Sequence, residues 1–181
     1  MNSVDPIREQ EKIEQLKRIL REQSFRNYFL FVAGINIGIR IGDLLRLKVE
    51  DIRERSHIVI REQKTGKERR FRINDSLKTE IAAYVEGKAD DSYLFVSRQG
   101  GKRPLSRVSA WRILNSAARK AGLDSIGTHT LRKTFGYHYY RMSRDIAMLQ
   151  KIFNHASPGV TLRYIGITQD AIDESLERFS L

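Results

Sequence analysis

Residues 38–45 read GIRIGDLL and set one arginine, Arg40, between isoleucines. The stretch before them, from Ser24 onward, has a wide apolar face, which predicts a deeply buried helix capped by Ser24. Arg40 then stands at the start of a short helix beside this apolar segment. A guanidinium so close to the core needs an anionic partner. Asp43, three residues later on the same helix, is placed to orient it.

The size and composition of the chain favour one globular domain over residues 1–181. The chain has 181 residues, 40% of them hydrophobic, and 3 prolines, which is ordinary for a single core. It contains no cysteine, so disulfides and thiolate metal sites are excluded. Residues 1–20 are rich in charge and hold no apolar run that suits a signal peptide or a membrane span. We therefore expect a cytoplasmic protein that does not enter a membrane.

The charge balance favours a polyanionic partner. Lys and Arg total 33 against 22 Asp and Glu, a formal net charge of +11, and such side chains bind phosphates with release of condensed counterions. The alternative is a basic but unspecialised surface. The basic residues cluster beside glycine-bearing turns, which favours a polyanionic partner such as nucleic acid over an unspecialised surface. The candidate phosphate-binding residues are Lys67, Arg69, Arg70, Arg72, Arg98, Lys102, Arg103 and Arg107.

The hydrophobic pattern predicts a mainly α fold with a small antiparallel β-sheet, an α+β class. A first helix, the helical leader at residues 1–23, begins at an Asp5-Pro6 cap. Alternation at residues 58–73 predicts a hairpin around the turn KTGK at residues 64–67, with Arg70 and Arg72 facing outward and a third strand at residues 49–52. The predicted caps of the later helices are Asp75 or Ser76, Ser106, Thr128 or His129, Ser143, and Thr168, and Pro158 is expected in a link.

Five motifs occur along the chain in a fixed order. They are Arg40 in GIRIGDLL, Lys64 in KTGK, His129 and Arg132 in HTLR, His155, and Tyr164 in TLRY. Their order and spacing resemble the catalytic domain of the tyrosine recombinases, the phage integrase family, from about Ser24 to the C-terminus. The match rests on the whole set, because an arginine in a helix or a His-x-x-Arg is common by chance.

The resemblance implies a site-specific recombinase or integrase that cuts and rejoins DNA. Tyr164 is then the nucleophile, which stores the phosphodiester energy as a 3′-phosphotyrosyl ester. Arg40 and Arg132 are the planar donors that stabilise the pentavalent transition state. The implied partners are double-stranded DNA and further copies of the chain, which form a homo-oligomer on the DNA. No cofactor or metal is implied.

Two histidines and a lysine complete the implied site. His129 and Arg132 lie three residues apart on a predicted helix, so both project from one face. By the resemblance, His129 assists proton transfer, and His155 donates a hydrogen bond to a nonbridging oxygen. Lys64 matches the general acid that protonates the leaving 5′ oxygen, and Lys67 is close enough to remain a rival for this role.

Some features depart from the family pattern or match nothing in it. Asp43 stands where Glu is usual, Asn154 where Gly is common, and Lys133 where His is common. His57 and His138 match no motif and are expected to be surface or packing residues. Only the helical leader precedes Ser24, where the family generally has a separate DNA-clamping domain, so we expect a catalytic domain alone, by nature or by truncation.

The last predicted helix, at residues 168–181, carries an apolar stripe of Ile172, Leu176 and Phe179 that must be buried. In the resembling family this segment docks onto a neighbouring protomer, and the alternative is that it folds back in cis. Other functions also remain open at this point. They are a noncatalytic DNA-binding regulator on the same scaffold, a type IB topoisomerase-like enzyme that relaxes DNA, and, with the least support, a metal nuclease.

Overall fold

An apolar helix, α2 (Phe25–Ile37), lies at the centre of the fold. A computed structural model of the chain describes residues 4–98, 102–124, 126–127, 129–167 and 176–177. Phe29 and Phe31 of α2 are fully buried. As the sequence predicts, Ser24 caps this helix, and its side chain accepts a hydrogen bond from the Asn27 backbone at 3.2 Å.

The first helix begins later than predicted. It is α1 (Gln10–Gln23), and its capping residue is Glu9 rather than Asp5. The residues before α1 are held by tertiary hydrogen bonds. The Ile7 N–H donates to the Thr134 hydroxyl at 2.9 Å, and the Ile7 carbonyl accepts from His138 Nε2 at 2.9 Å. These bonds bind the segment before α1 to a later helix, which explains why α1 does not start at Pro6.

The predicted hairpin is present next to a short helix. α3 (Ile41–Leu44) begins directly after Arg40. β1 (His57–Arg61) and β2 (Glu68–Arg72) pair antiparallel, with Ile58 opposite Phe71. The predicted third strand at residues 49–52 is wrong, because Val49–Asp51 form a single 3-10 turn.

In the part of the chain that the structure describes, five further helices follow the hairpin. They are α4 (Asp75–Val85), α5 (Arg107–Lys120), α6 (Thr130–Ser143), α7 (Ile146–Phe153) and α8 (Pro158–Tyr164). The described chain thus has the predicted class, mainly helical with a small antiparallel sheet. None of its described helices is long and apolar enough to cross a membrane.

Some of the predicted caps are shifted by one or two residues. Ser106 caps α5 as predicted, and His129 precedes the first residue of α6. Asn74 rather than Asp75 or Ser76 caps α4, and its side chain accepts from the Leu77 backbone at 2.8 Å. Asp145 rather than Ser143 caps α7, and Pro158 is the first residue of α8 rather than part of a link, with Ser157 as its cap.

Some predicted features lie outside the described residues. They are Thr128, Gly100, Gly101 and the predicted last helix, apart from Leu176 and Glu177.

A close contact between α2 and α6 brings the later motifs against the first. A Cβ built on Gly34 of α2 would lie 2.4 Å from Leu131 Cδ1 of α6, so only glycine allows this approach. Most buried apolar residues form one large core around α2, and a smaller cluster of Leu149, Phe153 and Ile165 joins α7 to the end of α8.

We predict that Gly34→Ala lowers the free energy of unfolding by about 1 to 3 kcal/mol, since the added methyl group overpacks the α2–α6 contact. Gly159→Ala in α8 is the matched control, because the nearest atom to its added Cβ is 4.0 Å away, and its stability should not fall. Chemical denaturation of both variants measures the difference. Equal stabilities would show that Leu131 moves aside without cost.

Candidate active site

Arg132 of α6 is a buried cation with backbone partners. Its side chain is 3% exposed, Nη1 donates to the Gly38 carbonyl at 2.7 Å, and Nη2 donates to the Phe153 carbonyl at 3.0 Å. The guanidinium also lies over the Phe153 ring, 4.3 Å from its centroid. Burial lowers the pKa of Arg132 to about 10, so the group stays charged at neutral pH.

Tyr164, the last residue of α8, meets both histidines of the predicted set. Its hydroxyl lies 3.3 Å from His129 Nδ1, and its ring lies edge-on to the His155 ring, with 5.0 Å between centroids. Burial raises the pKa of Tyr164, and the charges of Arg132 and Arg40 oppose this shift. Tyr164 is therefore a neutral phenol at pH 7 that needs a base in order to react.

The two histidines are uncharged at neutral pH. Burial first, and then the charges of Arg132 and Arg40, lower the pKa of His155 to about 4. Desolvation first, and then the charge of Lys133, lowers the pKa of His129. A neutral imidazole can accept a proton at one nitrogen and donate from the other, so both rings are ready for proton transfer.

Local structure holds His155 beside the tyrosine. Asn154 ends α7 in the left-handed conformation, with φ 54°, which is the backbone that glycine adopts readily and that asparagine tolerates. His155 follows directly, and its Nδ1 lies 3.1 Å from the Thr161 hydroxyl. Lys133, at another departure from the family pattern, lies with its ammonium 5.3 Å from the centroid of the Tyr164 ring.

Arg40 pairs with a carboxylate that the sequence analysis missed. Its Nη1 lies 2.6 Å from Glu62 Oε1, and the Glu62 side chain is 2% exposed. This corrects the expectation that Asp43 orients Arg40. Asp43 Oδ1 accepts from the Gln63 backbone N–H at 3.0 Å, while Oδ2 is buried without a hydrogen-bond partner among the described residues. The missed signal is the alternation that puts Glu62 on the same face as buried Ile60.

Lys64 lies exposed in the hairpin turn. Its charge acts on the rings of His129 and His155 and contributes to their lowered pKa values, so it is near the cluster. Lys67 is also exposed, and its carbonyl accepts from the Glu62 backbone N–H at 3.0 Å, where the chain enters β2. Lys64 and Lys67 both stay predicted candidates for the acid.

The predicted phosphate-binding residues do not form one uniform surface. Arg70 and Arg72 face outward from β2 as predicted. Arg69 does not join them, because its Nη2 donates to the carbonyls of Lys151 and Ile152 at 2.8 and 3.1 Å and so ties the hairpin to the end of α7. The Nη2 of Arg107 donates to Gln63 Oε1 at 2.7 Å. Lys67, Arg98, Lys102 and Arg103 are exposed.

The structure thus brings together the predicted Arg40, Arg132, His129, His155 and Tyr164, with Lys64 at the margin. Among the described residues, no three His, Cys, Asp or Glu side chains are grouped in a way that could hold a metal ion.

Comparisons with known proteins identify the family and the fold of the chain. Residues 8–170 match the family described as the phage integrase family. The chain is 49% identical over 170 residues to the probable integrase/recombinase YoeC of Bacillus subtilis (strain 168), with 94% of this chain and 93% of that protein covered. It is 35% identical over 175 residues to the tyrosine recombinase XerA of Pyrococcus furiosus. That match covers 95% of this chain and 61% of XerA.

Solved structures show the same fold. The crystal structure of XerA recombinase superposes with a TM-score of 0.78 at 24% identity, over 98% of this chain and 67% of that one. The catalytic domain of bacteriophage HP1 integrase superposes with a TM-score of 0.65 at 17% identity, over 97% of this chain and 95% of that one. The resemblance stated from the sequence motifs is confirmed at the level of family and fold.

We predict that His155→Gln flattens the acid side of the stability profile. The folded-state pKa of His155, about 4, lies below its unfolded value of about 6.5. The unfolded chain therefore takes up the proton first, and stability present above about pH 6.5 falls as the pH drops toward 4. Melting temperatures between pH 7 and about pH 4.5 should change less in the variant than in the wild type. An unchanged slope in His155→Gln would contradict the assignment.

Proposed function

The chain belongs to the phage integrase family of tyrosine recombinases, and we propose that it is a site-specific DNA recombinase or integrase that works through a 3′-phosphotyrosyl intermediate. The observation that carries the proposal is the contact between the Tyr164 hydroxyl and His129 Nδ1 at 3.3 Å, beside the buried Arg132. A phenol, a neutral base and fixed cations together suit nucleophilic displacement at phosphorus.

In the first step, Tyr164 attacks the scissile phosphate. With the ring proton of His129 on Nε2, Nδ1 accepts the phenolic proton as the bond from oxygen to phosphorus forms. This base is needed because burial raises the pKa of Tyr164. The bond from phosphorus to the 5′ oxygen breaks, and the 3′ phosphate stays attached to Tyr164. Attack by a free 5′ hydroxyl reverses the step and rejoins a strand.

Arg40, Arg132 and His155 stabilise the transition state in this proposal. Each Nη of Arg132 carries a second hydrogen beyond the one given to its carbonyl partner, so the group can still face a phosphate oxygen. The Thr161 hydroxyl donates to the Ser157 carbonyl at 3.2 Å and lies 3.1 Å from Nδ1 of His155. For His155 to donate to a nonbridging oxygen, its ring proton must lie on Nε2, and the Thr161 hydrogen must turn from Ser157 to Nδ1. Preorganised donors of this kind need little rearrangement during the reaction.

Lys64 supplies the proton to the leaving 5′ oxygen. An exposed lysine at a hairpin turn can approach the phosphate after DNA binds, and a positioned acid contributes typically 10²- to 10⁴-fold. Exposed basic residues including Arg70, Arg72, Arg98 and Lys102 bind the DNA backbone, which fixes the position of the duplex without reading its sequence.

We further propose that the chain acts on bacterial or mobile-element DNA in the cytoplasm and assembles as a homo-oligomer on that DNA. It spans 93% of YoeC but only 61% of XerA, so the activity of the longer relatives is carried over as a proposal. A nicked suicide substrate separates the alternatives. A noncatalytic regulator gives no covalent adduct, and a topoisomerase-like enzyme relaxes plasmids without a recombinant product.

We predict that Tyr164→Phe abolishes the covalent adduct on a suicide substrate and leaves DNA binding within a few fold, because only the nucleophilic oxygen is lost. A denaturing gel detects the adduct, and a binding titration measures affinity. Tyr139→Phe is the matched control and should form the adduct normally. If Tyr164→Phe still forms the adduct, the nucleophile lies elsewhere, with Tyr137, Tyr139 and Tyr140 as the next candidates.

Lys64→Ala should cleave an ordinary phosphodiester slowly and recover most of its rate on a 5′-bridging phosphorothioate. Sulfur is a far better leaving group and needs no proton, so the acid becomes dispensable. Single-turnover cleavage on both substrates measures the recovery. Lys67→Ala is the parallel variant, and recovery of that variant instead would move the role to Lys67. If neither variant recovers, acid catalysis from the hairpin is ruled out.

A further inference from the structure

Glu62 joins two parts of the site through its two carboxylate oxygens. Oε1 lies 2.6 Å from Nη1 of Arg40, and Oε2 accepts from the Thr65 hydroxyl at 2.7 Å. Thr65 is the residue directly after Lys64 in the hairpin turn. One buried side chain thus contacts both a candidate transition-state donor and the turn that carries the candidate acid.

The charge of Glu62 is retained despite its burial. Burial raises the pKa of a carboxyl group, but the Thr65 hydrogen bond and the charges of Arg40 and Arg132 outweigh this effect and hold the pKa of Glu62 below its ordinary value. A buried carboxylate that keeps its charge and has both oxygens bonded makes directional, charge-assisted contacts. Its partners are therefore held in defined positions.

Glu62 leaves the phosphate-facing part of Arg40 free. Among the described residues, the Arg40 side chain makes one hydrogen bond, which is to Glu62. This bond uses Nη1 alone. Nε and Nη2 keep their hydrogens for a bidentate contact with a phosphate. The geometry therefore fits orientation of Arg40 better than competition with DNA for the same nitrogen atoms.

Asp43 also binds this end of the strand. Its Oδ1 accepts from the backbone N–H of Gln63, the residue between Glu62 and Lys64. Arg40 and Asp43 belong to the α3 region, and Glu62 to Thr65 belong to the hairpin. Two carboxylates therefore tie the hairpin to α3, one through a side chain and one through the backbone.

From these contacts we propose that Glu62 is a positioning residue that sets Arg40 and the Lys64 turn relative to each other. The proposal rests on the proposed recombinase function. By fixing both groups, one carboxylate couples stabilisation of the phosphate charge to protonation of the leaving oxygen. Lys64 then reaches the 5′ oxygen in the same arrangement in which Arg40 faces the nonbridging oxygens.

The test uses the full chain and three variants that separate the two contacts of Glu62. Glu62→Ala removes both contacts, Thr65→Val removes only the contact to the turn, and Glu62→Gln keeps an acceptor for Arg40 and an amide donor for Thr65. Each variant is assayed for single-turnover cleavage of a suicide substrate with an ordinary 5′ oxygen and of one with a 5′-bridging sulfur. The Arg40 side chain is 21% exposed, so water can reach it in Glu62→Ala and folding should survive.

We expect Glu62→Ala to slow cleavage of the ordinary substrate by about 10- to 100-fold, the scale for loss of a hydrogen bond to a charged group. The sulfur substrate should restore only part of this rate, because the orientation of Arg40 remains lost. Thr65→Val should slow the ordinary substrate by about 10-fold, at the low end of the scale for a hydrogen bond to a charged group, and recover fully with sulfur. Glu62→Gln should lose less than Glu62→Ala, about three- to tenfold, since its hydrogen bonds persist without the assistance of the charge.

Several outcomes would overturn the proposal. Wild-type or faster cleavage by Glu62→Ala would show that Glu62 does not contribute to catalysis or competes with DNA for Arg40. Equal losses on both substrates for Thr65→Val, together with a lower melting temperature, would indicate a merely structural role. If Glu62→Ala does not fold, the cleavage rates of Thr65→Val and Glu62→Gln on the two substrates test the proposal. Absence of adduct in the wild type would instead overturn the proposed function itself, so the two failures are distinguishable.

Discussion

The burial of the Arg132 guanidinium is the constraint on which the arrangement of the site depends. A buried charge is costly unless it is hydrogen-bonded, and its partners are the carbonyls of Gly38 and Phe153, at the ends of α2 and α7. Both carbonyls lie at left-handed turns, at Gly38 itself and at Asn154 after Phe153. The two helix ends must therefore converge on one side chain, which brings Arg40 and His155 to the same place.

A second consequence of this convergence is electrostatic. Several cations lie around the tyrosine, and their combined field helps to keep His129 and His155 unprotonated. Glu62 is the buried carboxylate that balances part of this charge. A phosphodiester bound beside these cations adds negative charge, so the same field that holds the histidines neutral also favours binding of the substrate.

The sequence was most informative where a local rule fixes the outcome. The Ser24 cap, the start of α3 after Arg40 and the alternation of the hairpin follow from capping and periodicity, and the spacing of the motifs indicated which residues meet. Tertiary contacts decided the rest. The hydrogen bonds of Ile7 to α6 displaced the predicted start of α1, and no local rule anticipates them.

The error at Asp43 has a similar cause. A carboxylate three residues from an arginine on one helix is the obvious partner by sequence, whereas Glu62 is distant along the chain and reaches Arg40 only because the hairpin folds against α3. Strand alternation does place Glu62 on the inner face, but a charged residue there is ordinarily assigned to solvent. Arg69 was assigned to DNA for the same reason, although its guanidinium caps α7.

The division of the apolar residues into a large and a small cluster gives the molecule uneven local stability. Tyr164 packs on the small cluster of Leu149, Phe153 and Ile165, whereas α2 and Leu131 of α6 belong to the large one. Regions with few buried apolar contacts open at a lower free energy than the global unfolding reaction and exchange their amide hydrogens sooner. The segment that carries the nucleophile is therefore expected to open before the large core, and such opening breaks the hydrogen bonds from Arg132 and Arg69 to carbonyls of α7. Withdrawing the tyrosine from the cations that surround it requires only a partial opening of the protein.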